Sequence, residues 1–299
     1  MGSIAERDIP QIMKLLREVV GAESCKSLAR MGGLTNHSYH VILDDDREYV
    51  IRIPGEGTEE MIVREDERKS TELACRLGID ARMLYFGPDG SKVTEYVKHA
   101  VTLSAAAFHD EDRVRKAAAI FRTIHSCGAD TGVPFEVFQM AATYEKIIRD
   151  QKVPMFGDYE EQKAKVMAIK AQVDAVIPPR LVPCHNDPLC ENWVEGDGKR
   201  LYLIDWEYAG MNDGMWDLAD LSIEAGFDEV WDELLLRSYL EREPSVDHRR
   251  HFLASKLYVD FLWTLWAKTR VPFDGQSMED WACERYARMK NNITAYEAL

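Results

Sequence analysis

At 299 residues, 46% hydrophobic and 30% charged, the chain is long enough to bury a large core and to form one domain or two. Its 37 basic and 52 acidic side chains leave a formal net charge of −15, which argues against general binding to nucleic acid or an anionic membrane and suits a cationic ligand. Six cysteines without a CxxC pair, a polar stretch over residues 1–7 and no run of ~20 apolar residues lead us to expect reduced thiols, no signal peptide, no integral membrane segment and a cytoplasmic location.

Taken in chain order, residues 8–20 predict an amphipathic helix, because Ile9, Ile12, Leu15, Leu16 and Val19 recur at helical spacing. Residues 28–43 predict two strands about a turn at Gly32-Gly33, and 44–46 a hairpin tip. A third strand over 49–53 is closed by Pro54-Gly55, and a helix over 58–77 stops before a C-capping Gly78. Two further strands, 81–86 and 92–97, flank the turn Pro88-Asp89-Gly90. Beyond Val97 the pattern turns helical over 104–126 and 136–176, the latter broken at Pro154 and Gly157. A loop and hairpin occupy 183–205, and helix resumes from Trp216 to the end. The expected fold class is α+β, with a small N-terminal lobe (1–97) carrying a five-stranded antiparallel sheet and a larger, mostly helical lobe (98–299).

The segment from His185 to Asn192 has the pattern H-x-D-x-x-x-x-N, and Asp205 follows at the end of the strand over 200–204. Phosphoryl transfer needs that order of groups. Asp187 is the candidate base, able to accept the proton of an alcohol in line with the γ-phosphate. Asn192 and Asp205 offer oxygen ligands to a hard cation. An Asp/Asn-rich turn beside a strand is the competing structural explanation, and Ile204-Asp205-Trp206-Glu207-Tyr208 at the right distance weighs against it. His125 and His185 lack partners at zinc spacing and are expected to order the loop.

Gly32, Gly33, Thr35 and Asn36, between the first two predicted strands, would let the backbone approach phosphates and add donors. Arg52 is a charge in an apolar strand and needs a partner, with Glu67 the first candidate and Glu65 the second. Such a pair would hold nucleotide phosphates. Trp263 and Trp266, three apart, share a helix face and could line a box for a quaternary ammonium, although helix aromatics are more often plain core. Tyr208, Glu224, Tyr286 and Trp281 are candidates to complete the box, and Glu207 is counted with the substrate-binding residues.

Together these segments resemble the choline/ethanolamine kinase family, within the wider group of aminoglycoside-phosphotransferase-like small-molecule kinases, over about residues 28–290. The resemblance implies a two-lobed protein-kinase-like fold, use of ATP and Mg2+, Asp187 as base, Asn192 and Asp205 as metal ligands, and Arg52 where protein kinases carry lysine. It places a hinge at Thr94-Glu95-Tyr96-Val97, so that the backbone at Glu95 and Tyr96 would meet adenine. It implies choline as substrate, with ethanolamine, an amino sugar or an aminoglycoside as the alternatives on the same fold, and a non-catalytic binding protein as the alternative of another class. Trp206 stands where the family usually has Phe, residues 209–215 are less aromatic and less basic than in eukaryotic members, and the chain is shorter, which fits a bacterial type. The sequence leaves monomer and homodimer both open.

Overall fold

The structure, a computed structural model, describes residues 4–31, 36–55 and 62–299, so Gly32, Gly33 and Thr35 lie outside the described residues. The chain divides into two compact units, 1–104 with 190–209, and 105–189 with 210–299.

The first unit is built on an antiparallel sheet in the order β1-β2-β3-β5-β4: β1 Ser27–Arg30, β2 His37–Ile42, β3 Glu48–Ile53, β4 Met83–Phe86 and β5 Lys92–Glu95. Alternation along the strands sends Tyr39, Val41, Ile51 and Val93 into a core with Ile12, Leu15 and Leu16. Those last three come from helix α1 (Ile9–Leu15) and the π-helical turn Leu16–Val20, so the predicted helix over 8–20 widens in its last turn. Buried Asp8 pins this segment to β2 by accepting a hydrogen bond from the Tyr39 hydroxyl and pairing with His37, both at 2.6 Å. Helix α2 (Arg64–Arg76) begins after an extended Val63, with 58–61 of the predicted helix outside the described residues, and Glu65, Asp66 and Glu67 lie in its first turn, where carboxylates favour the helix dipole.

A second, three-stranded sheet, β6-β8-β9, completes this unit: β6 Val101–Thr102, β8 Trp193–Glu195 and β9 Leu201–Leu203. The division therefore differs from a single cut near 97, because β8 pairs with β6 and the Leu203 amide donates to the Ile79 carbonyl, which returns 190–209 to the first unit.

The second unit holds helices α3 (Glu111–His125), α4 (Val137–Asp150), α5 (Tyr159–Val176), α6 (Met215–Glu224), α7 (Glu229–Leu240), α8 (Val246–Asp274) and α9 (Gln276–Glu297). The break between α4 and α5 contains Pro154 and Gly157, as their chemistry requires. Strands β7 (Leu181–Cys184) and β10 (Gly210–Asp213) pair antiparallel beside the helices. Asp260 and Lys268 interrupt the apolar run of α8, and both are buried in ion pairs, with Arg285 and Arg288 for the first and Glu279 for the second. Among the described residues no helix is long and apolar enough to cross a membrane.

Candidate active site

In the first unit, Ile51 and Ile53 turn toward α1 while Arg52, between them, points to the opposite face of β3. Its Nη2 lies 2.5 Å from Glu67 Oε1 and donates to the Gly90 carbonyl at 2.9 Å. Glu65, two residues earlier on α2, falls on the outer side of the helix and pairs with Arg68. The partner of Arg52 is thus Glu67, and both side chains are almost wholly buried.

Arg64 Nη1 bridges Glu67 Oε2 and Glu207 Oε1, each at 2.8 Å, and Asn36 Nδ2 donates to the same Glu207 oxygen at 2.8 Å. Arg52 Nη1 is 3.4 Å from both Asp205 Oδ1 and Glu207 Oε1. Glu207, grouped with the substrate residues from sequence, therefore belongs to this charged cluster. Two positions past Asp205, its side chain returns to the same basic groups.

Asp205 has a left-handed backbone (φ 67°), which Asp tolerates better than most residues. A third of its side chain reaches solvent (37%), yet the protein packed around it and the Glu207 charge push its pKa up to about 6, against Arg52 and Lys92. A carboxylate held this way favours a bound cation. Carboxylate oxygens of Glu67, Asp205 and Glu207 lie within 4.8 Å of one another; Glu67 and Glu207 are held by Arg52 and Arg64, so Asp205, the most open of the three, is the oxygen donor that could serve a hard divalent ion. Asn192 ends the 3-10 turn Cys190–Asn192, and its carbonyl accepts from the Ile204 amide at 2.9 Å, so the hairpin brings it level with the residue before Asp205.

At the expected hinge, the Glu95 and Tyr96 amides already donate to the carbonyls of Arg82 (2.9 Å) and Glu48 (3.1 Å). Any adenine contact there must use other backbone groups. The Glu95 side chain pairs with Arg82, and the Tyr96 ring stacks on His40. Replacing Arg52 by Ala leaves Glu67 and Glu207 short of a buried counter-charge. The expected cost is about 3–5 kcal/mol, read as a lower denaturant midpoint, and an unchanged midpoint would show the cluster to be stable without it.

In the second unit, β7 delivers His185, Asn186 and Asp187 into a loop held from below by Asp217 of α6. The two Asp217 oxygens accept the backbone amides of His185 and Asn186, each at 2.8 Å, and His125 Nε2 lies 3.0 Å from one of them. Asn186 is left-handed (φ 67°), its side chain accepts from Asn212, and its carbonyl accepts from the Trp216 indole. His185 Nδ1 faces the Asp187 amide at 3.3 Å. Both histidines thus sit within the loop's hydrogen-bond network. Asp217 was missed from sequence, although its signal, a charge in the apolar run 216–221, is the one that singled out Arg52.

The Trp263 and Trp266 rings meet edge to face with centroids 6.1 Å apart, and Trp266 meets Trp281 of α9 at 6.0 Å. Arg285, one turn past Trp281, lies 4.0 Å over its ring and pairs with Glu224, so Glu224 already has a counter-charge. Tyr286 faces elsewhere. It stacks on Phe156 at 3.9 Å and donates to Asp158, because one residue's step on a helix turns it about 100° from Arg285. The third aromatic beside the tryptophan pair is Trp281 and not Tyr286. Tyr208 belongs to the first unit and the three tryptophans to the second.

A buried Arg–Glu pair on an antiparallel sheet, an H-x-D-x-x-x-x-N loop and an acidic residue closing the following hairpin define a kinase-like phosphotransferase. The model of the choline/ethanolamine kinase family matches residues 29–269, and the chain belongs to that family. A choline/ethanolamine kinase family protein from Mesorhizobium loti is 31% identical with a TM-score of 0.84, covering 95% of this chain and 94% of its own. Choline kinase LicA from Streptococcus pneumoniae is 30% identical with a TM-score of 0.82, covering 97% and 100%. Protein LicA of Haemophilus influenzae is 26% identical over 85% of this chain and 76% of its own length. The chain is a phosphotransferase that acts on the hydroxyl of a small amino alcohol.

Proposed function

We propose that this chain transfers the γ-phosphoryl group of ATP to the hydroxyl of choline, in a Mg2+-dependent reaction. The observation that carries choline is the trio Trp263, Trp266 and Trp281, in contact through Trp266 and lying in the unit that holds Asp187. Indole faces attract a quaternary ammonium, which has no N–H to give to an acceptor. Asp187 accepts the hydroxyl proton, and Asp217 keeps its loop in place. Arg52, anchored by Glu67, and Arg64 would pair with phosphate oxygens, and Gly32, Gly33, Thr35 and Asn36 would add donors. Asn192 and Asp205, with Glu207 close by, would hold the Mg2+, which would neutralise charge on the transferring phosphate.

ADP release measured with choline, ethanolamine and amino sugars tests this reading. Choline is expected to give the highest kcat/KM, and a strong ethanolamine preference would overturn it. Trp263→Ala is expected to raise the KM for choline about 5- to 30-fold, the equivalent of ~1–2 kcal/mol of cation–π contact. An unchanged KM removes Trp263 from the pocket.

A further inference from the structure

Two buried charges of the first unit, Lys92 and Asp80, belong to none of the pairs described above. Lys92 of β5 stands directly opposite Arg52 of β3 and Phe86 of β4, so the three side chains share the sheet face that carries the Arg52–Glu67 pair. Lys92 is 8% exposed, and its ammonium makes no hydrogen bond or ion pair among the described residues. Asp80 lies just past the end of α2 and is 5% exposed. Its Oδ1 accepts the Ala81 amide at 2.6 Å, and its Oδ2 has no hydrogen-bond partner among the described residues.

Backbone contacts bring both groups toward Asp205. The Leu203 amide donates to the Ile79 carbonyl at 3.1 Å, one residue before Asp80 and two before Asp205. Arg52, level with Lys92 in the sheet, reaches Asp205 Oδ1 at 3.4 Å. Burial pushes the Asp80 carboxyl up to about 6, and Lys92 is the first charge that opposes this, ahead of Arg52. Arg52 and then Lys92 are also the cations that act on Asp205. The other carboxylates of the cluster are held at closer range, Glu67 by Arg52 and Arg64 and Glu207 by Arg64. Asp205 has one long contact with Arg52, which Glu207 shares, so Lys92 supplies the charge left to offset it. Like charges repel strongly where water is scarce, and an ion held by Asp205 would lie in the field of that ammonium.

We propose that Lys92 sets the metal affinity of this site: its buried ammonium offsets Asp205 while the cluster holds no metal and opposes a divalent ion when one binds, so that the ion is retained together with the anionic phosphates that accompany it. The inference rests on the phosphotransferase reading and on Asp205 as a metal ligand. Asp80, which shares the Lys92 charge with Asp205, moderates the opposition.

The test titrates Mn2+, standing in for Mg2+, into the full chain without nucleotide and with equimolar ADP, and reads free Mn2+ by electron paramagnetic resonance. Lys92→Met, close in volume and uncharged, is expected to bind Mn2+ about 3- to 30-fold tighter than wild type, with the larger gain where no phosphate offsets the ammonium. Lys92→Arg keeps the charge and is expected to stay within about twofold of wild type. Asp80→Asn removes the moderating carboxylate and is expected to weaken Mn2+ binding about 3- to 10-fold. A purely structural role would loosen the site in every variant, so Mn2+ binding that is unchanged or weaker in Lys92→Met overturns the proposal, as does a Lys92→Arg as tight as Lys92→Met. Should Lys92→Met fail to fold, Lys92→Gln is read by the same criterion. Wild-type protein that binds no Mn2+ even with ADP overturns the metal assignment of Asp205 and the functional reading with it, and is thereby distinguished from an unchanged affinity in the variants.

Discussion

Asp187→Ala is expected to reduce kcat by about 10^2- to 10^4-fold while nucleotide binding survives. The change removes the one group assigned to receive the hydroxyl proton. The groups assigned to phosphate and metal, Arg52, Glu67, Asn192 and Asp205, belong to the other compact unit and keep their contacts. Steady-state ADP release with saturating choline gives the first quantity, and calorimetric titration with ATP gives the second. Turnover close to wild type would sink the assignment of Asp187 as base. Loss of nucleotide binding would show that Asp187 acts on ATP and not on the alcohol. The transition state of phosphoryl transfer is loose, so much of the residual rate is expected to come from positioning and charge neutralisation.

Asp217→Ala is the second large effect, and it acts without touching substrate. The wild-type carboxylate accepts two buried amides and contacts His125, and it holds Asn186 in a left-handed conformation. Truncation strands both amides and the imidazole in the interior, at an expected cost of about 3–5 kcal/mol in stability. The loop is then free to leave the geometry that aims Asp187, so kcat is expected to fall as well, with the KM for ATP little changed. Chemical denaturation and initial-rate kinetics on the same preparation separate the two consequences. Asp217→Asn keeps one acceptor oxygen and should recover part of the stability, which a role through charge alone would not allow. A variant that keeps both its midpoint and its kcat would show that the loop holds itself.

Much of the first unit was legible because its signals are local. Alternation over 37–42 and 48–53 specifies strands with two distinct faces, and Pro88-Asp89-Gly90 makes the turn that separates β4 from β5. The apolar break around Arg52 showed that a partner was needed. Which glutamate served could not be read, because Glu65 and Glu67 are separated only by the rotation of α2 against the sheet, and the choice is made by packing. The same holds for α9. Trp281 and Arg285 lie on one face of the helix and Tyr286 on another, and the face that α9 turns toward α8 is set by how the two helices cross.

The sequence by itself determined the succession of the five strands of the first sheet, the break between α4 and α5, and the order of Asp187, Asn192 and Asp205 along a single loop and hairpin, but not β6, β7 and β10 or the division of the last helical stretch into α6 to α9. These follow from chain chemistry over a few residues: side-chain periodicity, proline and glycine geometry, and the spacing a metal-dependent transfer demands. Only the tertiary structure decided that residues 190–209 return to the first unit, that Glu207 joins Arg52 and Arg64, and that Arg285 takes Glu224. Each of those outcomes joins groups far apart in sequence, backbone strands in the first and charges in the others. Their energy depends on which groups are buried together, and that is fixed by the packing of whole elements and not by any one segment.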